Sequence, residues 1–267
     1  MRRYLEIYAI MFRNSLIREM SFKANFLLWI VVEALWFLGQ IVFIDVLFQY
    51  VDQIGDWTKW QVILLIGTHQ LTAQIFQAFF YNNIVAIPEL IRTGRMDFMM
   101  LLPMDTQFAV SARHFGLDSI VNAGVSVAVI GLALSRLGLR PDAAQWLLYG
   151  TAVGFGITIH YAIMFLLTTL SFWIVRAQGL VFGYYNLFNI ARYPDSIFRG
   201  AKVFRFVFTW IIPVILVANV PARLLIAAAD RPPAPLLLAI AGAALVALTL
   251  NRLTWKFALS HYTSASS

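Results

Sequence analysis

Few residues in this 267-residue sequence could do chemistry, and the most conspicuous are polar groups set inside long apolar runs. Glu33 stands near the middle of the run 24–44, with Gln40 seven residues on and nearly on the same helical face. A carboxyl group is costly in hydrocarbon, so it should face a cavity or a partner. A proton relay would need further acids at matching depth. Asp118 lies nearer the edge of its run, four residues after His114, so those two are expected to pair locally. A second run carries Gln70, Gln74, Gln77 and Tyr81. On an ideal helix these four fall within about 60° of one another, with His69 off to the side. Such a stripe should avoid lipid; it could line a substrate path or hydrogen-bond to neighbouring helices.

Other chemistries are excluded by residue type and spacing. There is no cysteine, which removes disulfides, thiolate catalysis and Cys-ligated metals together. His69, His114, His160 and His261 are far apart and lack zinc-ligand spacing, so no metal site is expected. No nucleophile elbow occurs. A P-loop needs Gly-Lys-Ser/Thr to cradle phosphates. Lys23, Lys59, Lys202 and Lys256 follow Phe, Thr, Ala and Trp, so the chain cannot bind ATP in that way, and it is not expected to be an enzyme.

The elements that must hold these groups are membrane helices. The sequence is 61% hydrophobic and only 12% charged, against about 25% charged for an ordinary soluble domain. Six segments are long and apolar enough to span a bilayer: about 24–44, 60–84, 114–134, 146–175, 203–229 and 236–255. The fourth exceeds the roughly 20 residues required and should tilt or protrude. The fifth contains Pro213 and Pro221. Residues 1–23 read as an amphipathic interfacial helix, with Leu5, Tyr8, Phe12 and Leu16 on one face and Arg2, Glu6 and Arg13 opposite. No cleavable signal peptide is expected, because Arg13, Arg18, Glu19 and Lys23 interrupt any uncharged core. The expected organisation is therefore 1–23 as interfacial helix, 24–259 as a six-span domain, and 260–267 as a loose tail.

The net charge of +7 is spread over loops and helix ends, which favours lipid head groups over nucleic acid. With six spans, fifteen Lys and Arg residues fall on the side of the termini and five on the other. That bias predicts an inner membrane protein with both termini in the cytosol. Gly150 and Gly154 form a GxxxG spacing suited to helix contact, with Gly156 close by. Ala239, Ala241, Gly242, Ala243 and Ala244 suit tight packing in the last span.

The segment between spans two and three, ELIRTGRMDFMMLLPMDTQF from Glu89 to Phe108, is expected on the cytosolic side. Pro88 can begin a helix there and Pro103 can stop one. Met96, Met99, Met100 and Leu101 form an apolar patch, and methionine adapts to a partner's groove. Arg92, Arg95, Asp97 and Asp105 could pair across such a contact. The plainer reading is a connector packed on its own membrane domain.

Arg92-Thr93-Gly94, Asp97 and Leu101-Leu102-Pro103 together resemble the cytosolic segment of ABC transporter permeases of the type-2, exporter-like class. The subgroup is one formerly known only as uncharacterised permease components. Ala191-Arg192-Tyr193-Pro194 with Ile197-Phe198, and the Pro213 and Pro221 pair, resemble further blocks of that subgroup. Leu102 departs from the polar or basic residue common at its position. The resemblance implies a coupling helix within 89–108, using Glu89, Arg92, Gly94, Arg95, Asp97, Met100 and Pro103, that sits in a cleft of an ATP-binding subunit. It implies that 1–23 is a connecting helix on the same subunit, and that the segment after span four makes a smaller contact. It also implies span five followed by a short re-entrant outer element, which would explain Pro213 and Pro221, against the alternative of kinks in one continuous helix.

The expectation is thus an all-α, polytopic permease that is the membrane subunit of an ATP-driven exporter. Two ATP-binding subunits would hold ATP and Mg, this chain would bind no cofactor, and a second permease would complete the path, as a heterodimer by preference and otherwise as a homodimer. The alternative is a proton- or ion-coupled secondary transporter centred on Glu33.

Overall fold

The computed structural model describes residues 2–174, 178–226 and 234–263, with the side chains of 2–5 and Gln178 excepted. The loop 230–233, Arg176, the second half of the expected tail (264–267) and the side chains of Arg2 and Leu5 lie outside the described residues. The described chain is helical and contains no strand.

An N-terminal helix α1 (Arg2–Ser21) is followed by α2 (Lys23–Leu47), whose side chains are almost uniformly apolar. The chain turns back through a polar loop, where Lys59 pairs with Asp45. It enters α3 (Lys59–Phe76), and Gln61 Oε1 accepts a hydrogen bond from the Thr58 backbone N–H at 2.9 Å, satisfying one donor beside the helix start. A π-helical turn, Gln77–Tyr81, leads into α4 (Asn82–Val85) and α5 (Ile87–Arg92), so that Lys59–Arg92 forms one long span with a local irregularity. Short helices α6 (Met96–Met100) and α7 (Thr106–Ser111) precede α8 (Leu117–Leu137). The next helix, α9 (Ala143–Thr169), is started by Asp142, whose carboxylate accepts from the Gln145 backbone at 2.7 Å while the Gln145 side chain answers at 2.9 Å. The last long helix is α13 (Ala234–Ser260). Five spans therefore pass on length and apolarity: Lys23–Leu47, Lys59–Arg92, Leu117–Leu137, Ala143–Phe172 and Ala234–Ser260.

The sixth crossing is not the one the hydropathy predicts. Helix α10 (Gln178–Phe188) and a 3-10 turn, Asn189–Arg192, run back through the bundle. Tyr185 meets Gln77, Phe188 meets His69, and Arg192 meets Gln40, successively nearer the loop that carries Asp56. Beyond this turn, Arg199 pairs with Asp56 at 2.7 Å. Fifteen residues of helix rise about 22 Å, a short crossing that most hydropathy windows would miss. The expected fifth span instead breaks into α11 (Lys202–Phe206), a π-helical stretch Val207–Ile211, and α12 (Val214–Ile226), with 85° between the two arms. Both flanks of this pair return to Asp56, through Arg199 before it and Arg223 within it. It is a re-entrant hairpin in place of the expected span five, where the resemblance implied span five followed by a short re-entrant element, and it is not a kinked span. Pro213 explains the bend: a proline disfavours helical backbone in the residue before it, and Ile212 sits at φ −117, ψ 79.

This placement corrects the charge count. Arg192, Arg199, Lys202 and Arg205, assigned by sequence to the side of the termini, belong to the Asp56 end. Moving four of the fifteen leaves eleven Lys and Arg residues against nine, with Arg176 and Arg231 kept where the sequence put them. The segment after span four therefore passes through the bundle, and its block 191–198 forms a turn at the Asp56 end.

Helix α12 is the centre of the packing. Its Val214, Val217, Val220 and Leu224 join the cluster that includes Phe165, Ile240 and Trp255, while Ala218, Ala222 and Leu225 join that of Leu64, Leu65 and Tyr149. Gly156 of α9 lets it approach: a Cβ there would lie 2.9 Å from the Val217 carbonyl oxygen. Gly150 and Gly154, the expected GxxxG pair, have open space where a Cβ would be, as does Gly242 of α13. Asn219 of α12 is buried and fastens the hairpin to the turn before it. Its amide donates to the carbonyls of Ala191 (3.2 Å) and Tyr193 (3.1 Å), and its oxygen accepts from the Asp195 N–H at 2.9 Å.

Candidate functional site

Two features stand out, an exposed face at the α6 end of the bundle and a polar cavity within it. At the α6 end, Pro88 lies in the first turn of α5, where its missing N–H costs no hydrogen bond. Glu89 and Arg92 pair within that helix at 2.8 Å. Gly94 then turns the chain at φ +68, a left-handed conformation that side chains resist. Arg95 is exposed and donates to the Thr93 hydroxyl at 3.1 Å. In α6, Met96 is fully buried and Met99 half-buried, whereas Phe98, Met100 and Leu101 are 65%, 41% and 80% exposed. Asp97 is half-buried, and Pro103 is exposed beyond the helix.

The apolar patch is therefore Phe98–Met100–Leu101 and not the methionine set the sequence suggested. On a helix this short, Met96 and Met100 follow one face only for a single turn, and Met96 anchors the segment to the core. Asp105 is likewise not free to pair outward. Its carboxylate accepts from Phe108 N–H at 3.1 Å, capping α7, and binds the Arg252 guanidinium of α13. The Arg252 hydrogen bond, with help from the Phe108 backbone, holds the Asp105 carboxyl below the usual carboxylate range.

Helix α1 lies beside this face. Tyr8 and Phe12 pack edge-on to the buried Phe115 ring at 4.9 and 5.3 Å, and Ser15 Oγ accepts from the Phe115 N–H. Arg18 donates to His114 Nδ1 at 2.8 Å. This pairing replaces the expected one between His114 and Asp118. Burial, then Arg18 and Arg113, push the His114 pKa down. Ile10, Leu16 and Ile17 are exposed on the other side, so Leu16 does not share the packed face with Tyr8 and Phe12.

The cavity, about 700 Å³, lies between α2, α3 and α10. Gln74 Nε2 donates to Glu33 Oε2 at 3.1 Å, and the Gln77 amide donates to the Tyr185 hydroxyl. Arg192 donates to Gln40 Oε1 at 3.1 Å. Gln70 is buried along its wall. The structure thus brings Glu33, Gln40, Gln70, Gln74 and Gln77 into one chamber. Tyr81 stands just beyond it, its ring 5.3 Å from that of Tyr185. His69, set aside by the helical-wheel reading, also lines the chamber, packed 4.9 Å from Phe188. An apolar cavity of about 890 Å³ adjoins it toward the Asp56 end and shares Leu35, Trp36, Gln40 and Arg192.

The wall formed by α10 and the turn after it, Tyr185, Asn186, Asn189 and Arg192, was missed because its segment reads as a charged loop. A usable signal exists: residues 185, 189 and 192 recur at helical spacing on one face. Among the described residues there is no cluster of His, Asp and Glu that could hold a metal. The chamber offers one carboxyl, one guanidinium and several amides. It suits recognition of a polar group by hydrogen bonds and offers no assembled nucleophile.

The family model of the ABC-2 family transporter protein matches residues 34–266. No curated protein and no solved structure matches the sequence.

Proposed function

Because the chain belongs to the ABC-2 transporter family, whose members supply the transmembrane component of ABC transporters, we propose that it is an exporter permease driven through α5 and α6. One observation supports this most directly. The exposed Phe98, Met100 and Leu101 sit on a short helix joined through Gly94 to the long span Lys59–Arg92, whose middle carries Gln70, Gln74 and Gln77. A push on α6 would travel along one rod to the chamber wall. The π-helical turn Gln77–Tyr81 lies where that rod meets the chamber, a place where such irregularities commonly serve function.

In this reading two ATP-binding subunits, carrying ATP and Mg, receive the α6 patch in a cleft, with Glu89, Arg92, Arg95 and Asp97 around it. Helix α1 rests on the same subunit. Both termini and α6 face the cytosol across the inner membrane. The corrected count of eleven against nine supports this only weakly. The five basic residues of the first 23, beside the first span, support it better. Helix α2 buries only Phe37 and Ile44, leaving one wall of the chamber for a second permease, a heterodimer by preference. The polar and apolar chambers in series suit an amphiphilic cargo.

The test is co-purification with the ATP-binding subunit. Phe98→Asp and Leu101→Asp should abolish the complex while leaving the permease folded, because both side chains are exposed. An undiminished complex in both variants would overturn the coupling role. Cargo movement by this chain alone under a proton gradient would overturn the ATP-driven reading in favour of secondary transport through Glu33.

A further inference from the structure

The eight described basic residues at the Asp56 end run against the usual bias and call for a reason. Most of the described ones have partners within the chain. Lys59 pairs with Asp45, Arg136 lies over the Trp60 ring, Arg192 binds Gln40, and Arg199 and Arg223 share Asp56. Arg140, Lys202 and Arg205 make no ion pair or side-chain hydrogen bond among the described residues. Lys202 and Arg205 stand together on α11, and with Arg199 they line a hollow of about 400 Å³ whose remaining wall is Phe206, Thr209 and Trp210.

What lies below these cations is apolar. Val203, Phe206, Trp210 and Ile211 are 78%, 57%, 58% and 63% exposed along the same arm of the hairpin. Trp210 also belongs to a second, apolar groove of about 680 Å³ between α9, α10 and α13, lined by residues such as Leu166, Leu180, Gly183 and Leu250. A basic hollow thus opens past one tryptophan into a hydrocarbon-lined groove. The arm enters the bundle from the end that carries Asp56, so the hollow sits at head-group depth and the groove at acyl-chain depth.

We propose that the Lys202–Trp210 arm binds an anionic phospholipid of the adjoining leaflet, its phosphate against Lys202 and Arg205 and one acyl chain in the Trp210 groove. Two cations without internal partners supply the attraction, and basic residues near an anionic membrane surface each add measurably to binding. The tryptophan suits the boundary, since its ring is apolar and its N–H seeks a polar neighbour. The lipid would hold the re-entrant hairpin in place from its lipid-facing side, where no protein packs against it among the described residues. The inference needs only the membrane placement of the chain and stands apart from the ATP-driven reading.

The experiment uses the full chain in phosphatidylcholine nanodiscs containing a trace of pyrene-labelled phosphatidylglycerol, read by energy transfer from protein tryptophan to pyrene. Unlabelled phosphatidylglycerol should displace the probe far better than unlabelled phosphatidylcholine. The variant Lys202→Gln with Arg205→Gln should weaken this preference by roughly ten- to thirtyfold. Arg140→Gln removes an exposed charge at the same end and should leave it unchanged. Equal loss in Arg140→Gln and in the double variant would reduce the effect to diffuse surface charge and overturn the site. Displacement of the probe by soluble glycerol phosphate as readily as by the lipid would also overturn it, in favour of a free-anion site.

Discussion

Gly156→Ala tests the packing on which the re-entrant hairpin depends. The added methyl would sit 2.9 Å from the Val217 carbonyl oxygen and 3.0 Å from Val217 Cγ1. The carbonyl is backbone and cannot swing away, so α12 must shift from α9. Forcing an extra methyl into a packed contact costs about 1–3 kcal/mol. Replacing glycine by alanine inside a helix returns about 0.5–1 kcal/mol. The net expectation is a loss of roughly 0.5–2 kcal/mol, or a fall of a few degrees in melting temperature at about 2–4 °C per kcal/mol for a chain of this size. Gly150→Ala and Gly154→Ala meet nothing within 4 Å and gain only the helix term, so they should be neutral or slightly stabilising. Val217→Ala should recover part of the Gly156→Ala loss, because it removes Cγ1 but leaves the carbonyl. The assay is thermal unfolding of the purified chain in detergent, with all four variants side by side. A Gly156→Ala protein that melts with the wild type, or a Gly150→Ala protein that melts well below it, would refute the hairpin packing and restore the GxxxG reading.

Two further outcomes follow from side chains already described. Asp105→Asn should remove an acid-sensitive component of stability. The Asp105 carboxyl is held low in the folded chain, chiefly by Arg252, so its contribution is present above the ordinary carboxylate range and is lost as pH falls through the folded value. The pair is about two-fifths exposed, which limits its worth to under about 1 kcal/mol, and melting curves of both proteins between neutral pH and pH 3 should converge at the acid end. Asn219→Ala should strand the buried Ala191 carbonyl together with the part-buried Tyr193 carbonyl and Asp195 N–H, costing on the order of 1–3 kcal/mol for the buried group and less for the other two, and hydrogen exchange at 191–195 should rise before that of the neighbouring helices.

What was legible in the sequence follows from how local each signal is. Helices α2, α8, α9 and α13 announce themselves by length and apolarity, and Pro88 marks a helix start correctly, whereas the break at Gly94 between α5 and α6 was not read. The stripe of Gln70, Gln74 and Gln77 is a property of one helix, so it too could be read, and the structure shows it facing a chamber. The failures are tertiary. A crossing of fifteen residues with Arg192 at its end looks like a loop until Gln40 is seen to receive the guanidinium. The stretch 203–229 looks like a span because nothing in its composition says that Arg199 and Arg223 reach the same aspartate. Phe98 was passed over for Met96 because composition cannot say which side of a five-residue helix faces in.

The shared aspartate has a mechanical consequence. Asp56 lies in the loop between α2 and α3, and Arg199 and Arg223 flank the hairpin, so one carboxylate ties the first two spans to both ends of the re-entrant element. Arg223 also binds Asp195 at 2.5 Å and lies 5.0 Å from the ring of the buried Trp57. Burial would raise the Asp56 carboxyl, but the Ser196 hydrogen bond, Arg223 and Arg199 outweigh it and hold it low, so the tie is charged throughout the neutral range. The chamber opens toward this same end through Arg192 and Gln40. Moving α2 and the loop after it away from the 192–199 turn and the hairpin would break Arg192–Gln40, Arg199–Asp56 and Arg223–Asp56. All three are partly exposed polar contacts, weaker than the apolar packing of α12 against α9. In the proposed ATP-driven reading, a stroke along α3 would load these ties before it loaded the α12–α9 packing.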